Sequence, residues 1–441
     1  MKRLISIVSL LALIAGANAE TKVNFGLDLR SRMIMSSVGT GTDADMQYMK
    51  RYTDFRIRPN FSYEANDMLS AKVVLEVGDI KFGTPGAQYD TDGINVETKH
   101  AYLDVKPTKD HMVRLGLMAF YDPHSMILDG DLAGVKYEGN FNQLSLGLGW
   151  YVTDDQGENN GDKKSWSYGQ SFINANIGYK INDQMSVDLT TMTEMNSIKA
   201  DSTHQANNMN MWFAPRFVGD FGMVNVDGTF VYNMRGETTY EKTVAGAADV
   251  PDGKDDGSGM AFSLKSNIKA NEQLNIGVNF LFGSANDVEK NTDADATNNV
   301  YDGYKPAIGC SYIESGLQII THGGIGENEN VGYDVFFTDY GTMVPVVTVD
   351  YKVNDMATVG GAFGMAMTLE DVKGTVDGKE VKDTSLGMEF GVNSKLTLFE
   401  NLNLTPYAAF FMPGKAYSLM NYGIDKTDMQ MKLGAHLTIK F

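Results

Sequence analysis

The 441-residue sequence has few cysteines, prolines and basic residues, and each of these features excludes a class of protein or structure. It contains one cysteine, Cys310, so an internal disulfide is excluded. Basic residues number 37 against 56 acidic ones, and the formal net charge of −19 argues against a nucleic-acid partner. Proline is scarce, with 10 residues against 46 glycines, which suits strands joined by many tight turns. After residue 14 no segment is apolar enough for a membrane helix, which needs about 20 apolar residues.

The first 19 residues have the three parts of a signal peptide. Lys2 and Arg3 provide a basic start, residues 4–14 are apolar, and Ala17-Asn18-Ala19 supplies small residues for cleavage. The apolar part is too short to span a bilayer as a helix. We therefore expect residues 1–19 to be removed on export and residues 20–441 to form the mature protein.

Apolar and polar residues alternate along the C-terminal segment. Residues 429, 431, 433, 435, 437, 439 and 441 are apolar, and the residues between them are mostly polar or small. Successive side chains of a strand face opposite sides, so this segment predicts a strand with one apolar face and one polar face. An end on such a strand, at the aromatic Phe441, is typical of bacterial outer-membrane β-barrels.

The same two-faced pattern recurs along the whole chain. It predicts about 18 strands, with 16 or 20 left open by weak segments and by a further hairpin within Tyr304–Gly324. In hydrocarbon only helices and closed barrels satisfy the backbone, so the pattern predicts an all-β, transmembrane antiparallel β-barrel. The predicted strands are 23–35, 55–63, 69–77, 101–105, 113–119, 133–137, 144–152, 173–179, 187–189, 209–213, 224–232, 262–268, 274–282, 347–351, 359–367, 386–396, 402–410 and 429–441.

Connections of two kinds alternate between these strands. Short turns follow every even strand, which predicts that both termini lie at the periplasmic rim. The segment 284–342 is too long for a structureless loop in a compact domain, so we expect it to fold over or into the mouth of the barrel. The other long, polar and acidic connections predicted at the extracellular rim are 36–50, 81–93, 153–166, 236–257 and 369–383.

Basic residues on the polar face of the early strands are the clearest functional signal. An arginine facing lipid near the midplane costs about 2–4 kcal/mol, so several of them must face the lumen. There they predict a basic wall, one side of a constriction that filters polar solutes. The alternative is that they pair with Asp28, Asp54, Glu76 and Asp104 and only solvate the wall. The six basic residues are Arg30, Arg32, Arg56, Arg58, Lys72 and Arg114.

Acidic residues in two connections are candidates for the opposite side of that constriction, or for the mouth. Asp122, Asp129 and Asp131 fall in the predicted connection 121–132, and Asp90 and Asp92 fall in the connection before it. An ordinary solvated loop is the competing interpretation.

Catalytic and metal chemistry find no support in the sequence. The segment 293–297 starts like a calcium loop but lacks the glycine and the spaced glutamate of that motif. His124 follows Asp122 closely, but a triad requires a spatial arrangement that sequence does not show. We therefore predict no enzyme activity, no metal site and no cofactor.

Motifs between Ala71 and Gly139 go beyond the alternating pattern. The segments KVVLEVGDIKFG, DGINVETKHAYLDV, VRLGLMAF and LDGDLAGVKYEG lie in this stretch. They resemble the homotrimeric outer-membrane porin family of anaerobic Gram-negative bacteria. The resemblance implies a trimer of water-filled barrels, embedded in outer-membrane lipid and lipopolysaccharide, that passes small hydrophilic solutes and ions by diffusion.

Two other functions stay open at this point. A substrate-specific channel for a sugar or a peptide would add a saturable inner site. A surface-structural or adhesin barrel would have a closed lumen.

Overall fold

The computed structural model describes residues 21–37, 50–82, 96–154, 169–199, 204–236, 238–242, 257–286, 302–307, 316–320 and 339–441. The signal peptide predicted at residues 1–19 lies outside these ranges.

Most of the described residues form one antiparallel sheet that closes on itself. Apart from the short β12, which pairs with β10, each strand pairs with the next long strand in the chain, and the first strand also pairs with the last, from Asp28–Lys440 to Ser36–Lys432. The strands are β1 (Lys22–Ser36), β2 (Lys50–Asn66), β3 (Leu69–Phe82), β4 (Val96–Thr108), β5 (His111–Tyr121), β6 (Asp129–Phe141), β7 (Leu144–Asp154), β8 (Gly169–Lys180), β9 (Met185–Lys199), β10 (His204–Asp220), β11 (Val224–Arg235), β12 (Thr239–Lys242), β13 (Gly257–Lys269), β14 (Leu274–Gly283), β15 (Thr342–Asn354), β16 (Ala357–Val376), β17 (Lys379–Phe399), β18 (Leu402–Pro413) and β19 (Gln430–Lys440).

The 19 strands occupy 18 positions around the barrel wall. The short β12 shares the position of β11, because both pair with β10, β12 along the first residues of β10 and β11 along the rest. The prediction of 18 strands is confirmed, and every predicted segment falls on a separate strand of the wall, the last running one residue past each end of β19. Of the additional hairpin considered at 304–324, residues 304–307 and 316–320 are described, and neither piece is a strand.

The predicted faces of the strands are confirmed by exposure. On β7 and β8, Leu148, Trp150, Ile173 and Ile177 point outward and are each more than 40% exposed, whereas Tyr151, their neighbour on the other face, is fully buried. Such an apolar outer surface suits hydrocarbon, where the closed sheet pairs the backbone within the protein.

Asparagine side chains shape the short turns at one rim. Asn66, Asn182, Asn271 and Asn354 each accept a hydrogen bond from the backbone N–H two residues later, at 2.8 Å. This is the Asx-turn, in which the side chain mimics a backbone turn and reverses the chain in few residues. The opposite rim carries the longer connections.

The segment 369–383 was predicted to be a long polar loop, and that prediction is wrong. β16 and β17 extend through it and meet at Asp377-Gly378, where φ is +51° and +74°. Both values are those of a type I′ turn, the tight hairpin turn that Asp-Gly favours. The strands therefore project as a ribbon beyond the rim.

A short helix, α1 (Lys415–Tyr422), lies in the connection between β18 and β19. The Tyr417 ring packs edge-on against Phe411 with the ring centroids 5.3 Å apart, and Gln430 donates a hydrogen bond to Tyr417 Oη at 3.0 Å. Among the described residues, no helix combines the length and hydrophobicity that crossing a membrane requires.

The two faces of β17 give a matched test of the orientation. Val392 points outward and is 57% exposed, and Asn393 points into the lumen. We expect Val392→Arg to lower the free energy of unfolding in lipid vesicles by about 2–4 kcal/mol, and Asn393→Arg to lower it by less than about 1 kcal/mol. Equal losses from both variants in urea titrations would contradict the assignment of faces.

Candidate functional site

The lumen is not uniformly polar, because apolar side chains line it along β7 to β15, a set that we call the inner apolar ring. These residues occupy the face of the strands that otherwise carries polar groups, and each is at most 2% exposed. They surround chain segments that fold inward from the rim with the long connections. The members of this inner apolar ring are Tyr151, Phe172, Met192, Trp212, Val231, Ala261, Leu281 and Val344.

The first inward segment is the inner loop, residues 122–128, between β5 and β6. The buried carboxylate of Asp122 accepts hydrogen bonds from the backbone N–H groups of Met126, Ile127 and Leu128, at 3.0, 2.8 and 2.6 Å. These three residues are at most 1% exposed and belong to the apolar core of the lumen. Asp122 is thus the residue that folds the inner loop.

The tip of the inner loop crosses to the far wall. His124 Nδ1 lies 2.7 Å from Ser263 Oγ on β13, and His124 Nε2 lies 3.0 Å from Asp227 Oδ1 on β11. His124 and Ser125 have φ values of +66° and +50°, a conformation that costs a residue with a side chain roughly 1–2 kcal/mol. The contacts at both ends of the loop hold this strained tip in place.

Two pieces of the long connection after β14 are described, and both contact residues of the lumen. In the first piece, residues 302–307, Tyr304 Oη donates to the carbonyl of Met126 at 2.7 Å, and the N–H of Ala307 donates to the carbonyl of Ile127 at 2.8 Å. Trp212 Nε1 donates to the carbonyl of Lys305 at 3.0 Å. The piece therefore lies between the inner loop and the wall.

The second described piece, residues 316–320, is held on the opposite side by Glu389 of β17. The backbone N–H groups of Gln318, Ile319 and Ile320 donate to the Glu389 carboxylate at 2.6, 3.0 and 2.7 Å. Lys432 Nζ donates to the carbonyl of Gln318 at 3.4 Å. The sequence did not predict that Asp122 and Glu389 anchor inward segments. Both carboxylates bind backbone N–H groups, which no side-chain motif marks, and the partners of Glu389 lie about 70 residues away.

The inward segments separate polar cavities at the two ends of the lumen. On the side of the long connections, a cavity of about 450 Å³ is bounded by β9, β10, β11 and residues 304–307. On the side of the short turns, a cavity of about 510 Å³ lies beneath the inner loop and is lined by Arg114, Lys136 and Glu138. Two more cavities lie on this second side, one of about 480 Å³ next to the turns between β6 and β9 and one of about 500 Å³ along β10 to β15.

The six predicted basic residues all lie on the lumen face of β1, β2, β3 and β5. Several of them have acidic partners. Arg32 forms a buried bidentate pair with Asp54, Arg58 pairs with Glu76, and Arg114 pairs with Asp104 through bonds of 2.7 and 2.9 Å. The residues that lie across from each other in register are Arg30 with Arg56, Asp28 with Arg58, and Lys72 with Ser62 and Tyr102.

Arg114 has a second contact, with its guanidinium carbon 3.9 Å from the centre of the Tyr102 ring. The observed ion pairs fit the interpretation in which the basic residues bind acidic neighbours on the wall, and filtering of solutes stays a prediction. Lys432 was not among the predicted residues. It is fully buried on the lumen face of β19, next to β1, and extends the basic wall into what we call the basic sector, β19 and β1 to β5.

The five predicted acidic residues do not form one cluster. Asp122 is an internal anchor with both oxygens occupied, and Asp129 begins β6. Asp131 lies on the outward parity of β6 near the rim, where it pairs with Lys99 at 2.6 Å and His100 at 2.8 Å. Asp90 and Asp92 lie outside the described residues.

The solved structures that this chain resembles are outer-membrane β-barrels. OccK5 (OpdH) of Pseudomonas aeruginosa superposes with a TM-score of 0.53 and 10% sequence identity, covering 95% of this chain and 98% of the other. OccK8 (OprE) of the same organism gives 0.52 and 12%, covering 96% and 98%. OccAB1 of Acinetobacter baumannii gives 0.51 and 11%, covering 95% and 96%.

Identities this low establish the fold and nothing finer. No known family model matches the sequence, and no curated protein matches it.

Asp122 gives the inner loop a dependence on pH. Burial raises the pKa of its carboxyl to about 7, although the backbone hydrogen bonds act in the opposite direction. A folded-state pKa above the unfolded value means that the folded protein binds more protons between pH 4 and 7, so stability falls as pH rises through this window. The free energy of unfolding, relative to Asp122→Asn, should fall by up to about 1.4 kcal/mol per pH unit there and be constant above pH 8.

Urea unfolding of both proteins at a series of pH values measures this difference. In a second, control pair, Asp183→Asn against wild type, the difference in the free energy of unfolding should be independent of pH above pH 5, because Asp183 is an exposed turn residue. A wild-type advantage that grows between pH 4 and 7 would contradict the role given to Asp122 burial.

Proposed function

We propose that this protein is an outer-membrane channel through which small hydrophilic solutes and ions diffuse along a water-filled, arginine-lined lumen. The observation that carries the proposal is a closed barrel of 18 strand positions with an apolar exterior and a lumen lined by charged and amide side chains. Barrels of 16 to 18 strands are wide enough to hold an aqueous passage. Export through a cleaved signal peptide fits this location.

The basic sector is proposed to act on ions in transit. Arg58, Lys72 and Arg114 are partly exposed on the lumen face, so solutes that pass along this wall meet positive charge at short range. The predominantly acidic loops at the mouth attract cations, but at physiological salt their field is screened within about 8 Å. The attraction of cations by the loops outweighs the basic wall only at low salt. The proposed result is a weak preference for cations at low salt that fades as salt rises.

A substrate-specific channel is the second candidate, and the narrowed lumen favours it. The inner loop and residues 302–307 and 316–320 fill the middle of the barrel with fixed, hydrogen-bonded structure. A passage that is bordered by such segments selects solutes by shape as well as by size. The barrels that this chain resembles include the Occ proteins of Pseudomonas aeruginosa, and we extend from them only the barrel fold.

Assembly as a homotrimer is part of the proposal, and it rests on the family resemblance of the segment Ala71–Gly139. Each barrel would then conduct independently, with lipid and lipopolysaccharide around the trimer.

Single-channel recording of the refolded protein in planar bilayers tests the proposal. We expect open steps that come in groups of three and fall smoothly as neutral solutes of increasing size are added. Bilayers that stay silent, although the protein is correctly folded and inserted, would overturn the channel and favour a surface-structural barrel.

The ion pair of Arg58 and Glu76 tests the basic wall with two opposite variants. A unit charge about 8 Å from an ion in water changes its energy by roughly 0.5 kcal/mol, which is about a twofold change in relative permeability. At low salt, Arg58→Gln should raise the permeability of K⁺ relative to Cl⁻ about twofold, and Glu76→Gln should lower it. Reversal potentials that move in the same direction for both variants would contradict a field set by these side chains.

A further inference from the structure

We propose that the cavity of about 450 Å³ on the side of the long connections is a binding site for a neutral saccharide. This cavity, the amide cavity, is lined by Glu194, Asn196, Asn208, Asn210, Asn233 and Thr238 among other residues. The inference deepens the proposed channel function, because it names the class of solute that the channel would retain. Its volume lies in the range of small-molecule sites, about 300–1,000 Å³.

Carboxamide groups dominate the polar wall of the amide cavity, and hydrogen bonds hold them in two groups that together form its amide network. Asn196 Nδ2 donates to Asn208 Oδ1 at 3.0 Å, and Asn210 Nδ2 donates to Glu194 Oε2 at 2.8 Å. Gln170 donates to the other oxygen of Glu194 at 2.6 Å. The network fixes the amide groups before any solute arrives, and such preorganisation favours binding.

The amide groups keep hydrogen-bonding capacity that the network does not use. A carboxamide offers two N–H donors and two acceptor lone pairs, and Asn196 and Asn210 each use one donor in the bonds of the described structure. Asn233 is fully buried, and its Nδ2 has no partner among the described residues. An unmet buried donor costs roughly 1–3 kcal/mol, so a partner that fills the cavity is favoured.

The charges of the side chains that line the amide cavity sum to zero, which favours a ligand without net charge. Glu194 and Asp339 carry two negative charges, and Arg235 and Lys305 carry two positive ones. A net charge of zero favours neither an anion nor a cation. Hydroxyl groups donate and accept at the same atom, as the mixed donors and acceptors of carboxamides require. A neutral polyhydroxylated solute therefore satisfies this wall better than an ion does.

The floor of the amide cavity is apolar. Trp212, Tyr304, Pro306 and Ala307 form it where residues 304–307 meet the wall, and Trp212 is held by its hydrogen bond to Lys305. Sugar rings have C–H faces as well as hydroxyl edges, so a site with an apolar floor and amide sides matches both. Small-molecule sites usually combine apolar surface with a few placed polar groups in this way.

Isothermal titration calorimetry of the refolded protein with maltose tests the site without requiring passage. We expect saturable binding of maltose and no binding of a polyethylene glycol of similar size. The double variant Asn196→Ala/Asn208→Ala should weaken binding at least tenfold, the effect of losing two hydrogen-bonding groups. The matched control is Asn267→Ala/Asn275→Ala, in the cavity on the side of the short turns, and it should change affinity less than twofold.

The nearly isosteric variant Asn208→Asp provides a second test if the double variant does not fold, and it should also weaken maltose binding. No heat from maltose in the wild type, or equal weakening by the control variant, would overturn the site. Binding of the zwitterion glycine betaine in place of maltose would overturn the saccharide class.

Bilayer recordings separate this proposal from the proposed channel function. Maltose binding in a protein that never conducts would refute the channel and leave the site standing. Conductance without maltose binding would refute the site alone.

Discussion

Closure of the sheet by the pairing of β1 with β19 is the constraint on which everything else in this molecule depends. An open edge would leave backbone groups unpaired in hydrocarbon, and closure removes the edge and creates an interior at the same time. Once there is an interior, each strand must present two different surfaces. The alternation of apolar and polar residues along the chain follows from that requirement. The arginines are tolerated because the closed sheet gives them an interior to face.

Within the barrel, one chemical device is used twice. Asp122 and Glu389 each place a buried carboxylate where three successive backbone N–H groups converge, and each thereby folds a segment that has no strand neighbour to pair with. A carboxylate is suited to this task because its two oxygens accept several hydrogen bonds, and bonds to a charged acceptor are stronger than neutral ones. The inner loop and residues 316–320 are therefore held by hydrogen bonds although neither has a strand neighbour.

The sequence predicts the wall well and the lumen poorly, for a physical reason. Strand faces follow from a period of two, which local sequence displays, so the strand positions and the lumen side of Arg30 or Arg114 were predictable. The inner apolar ring breaks that rule, because Trp212 and Phe172 occupy the polar face in order to meet segments from elsewhere. The partners of His124 and Tyr304 lie 139 and 178 residues away in the sequence, so the local sequence pattern does not predict them. The ribbon at residues 369–383 was predictable from Asp377-Gly378 but was obscured by its polar composition.

The distance along the chain between the inner loop and its partners also orders the assembly of the molecule. Hairpins of the wall join residues that are close in sequence, and their closure costs little entropy, whereas the bonds of His124 to Ser263 and of Tyr304 to Met126 join distant parts of the chain. The loop tip can reach β11 and β13 in their final places only after the intervening strands β7 to β10 have joined the wall. These long-range bonds therefore depend on strands that are far from the inner loop in the sequence, and they narrow the lumen only once those strands are in place.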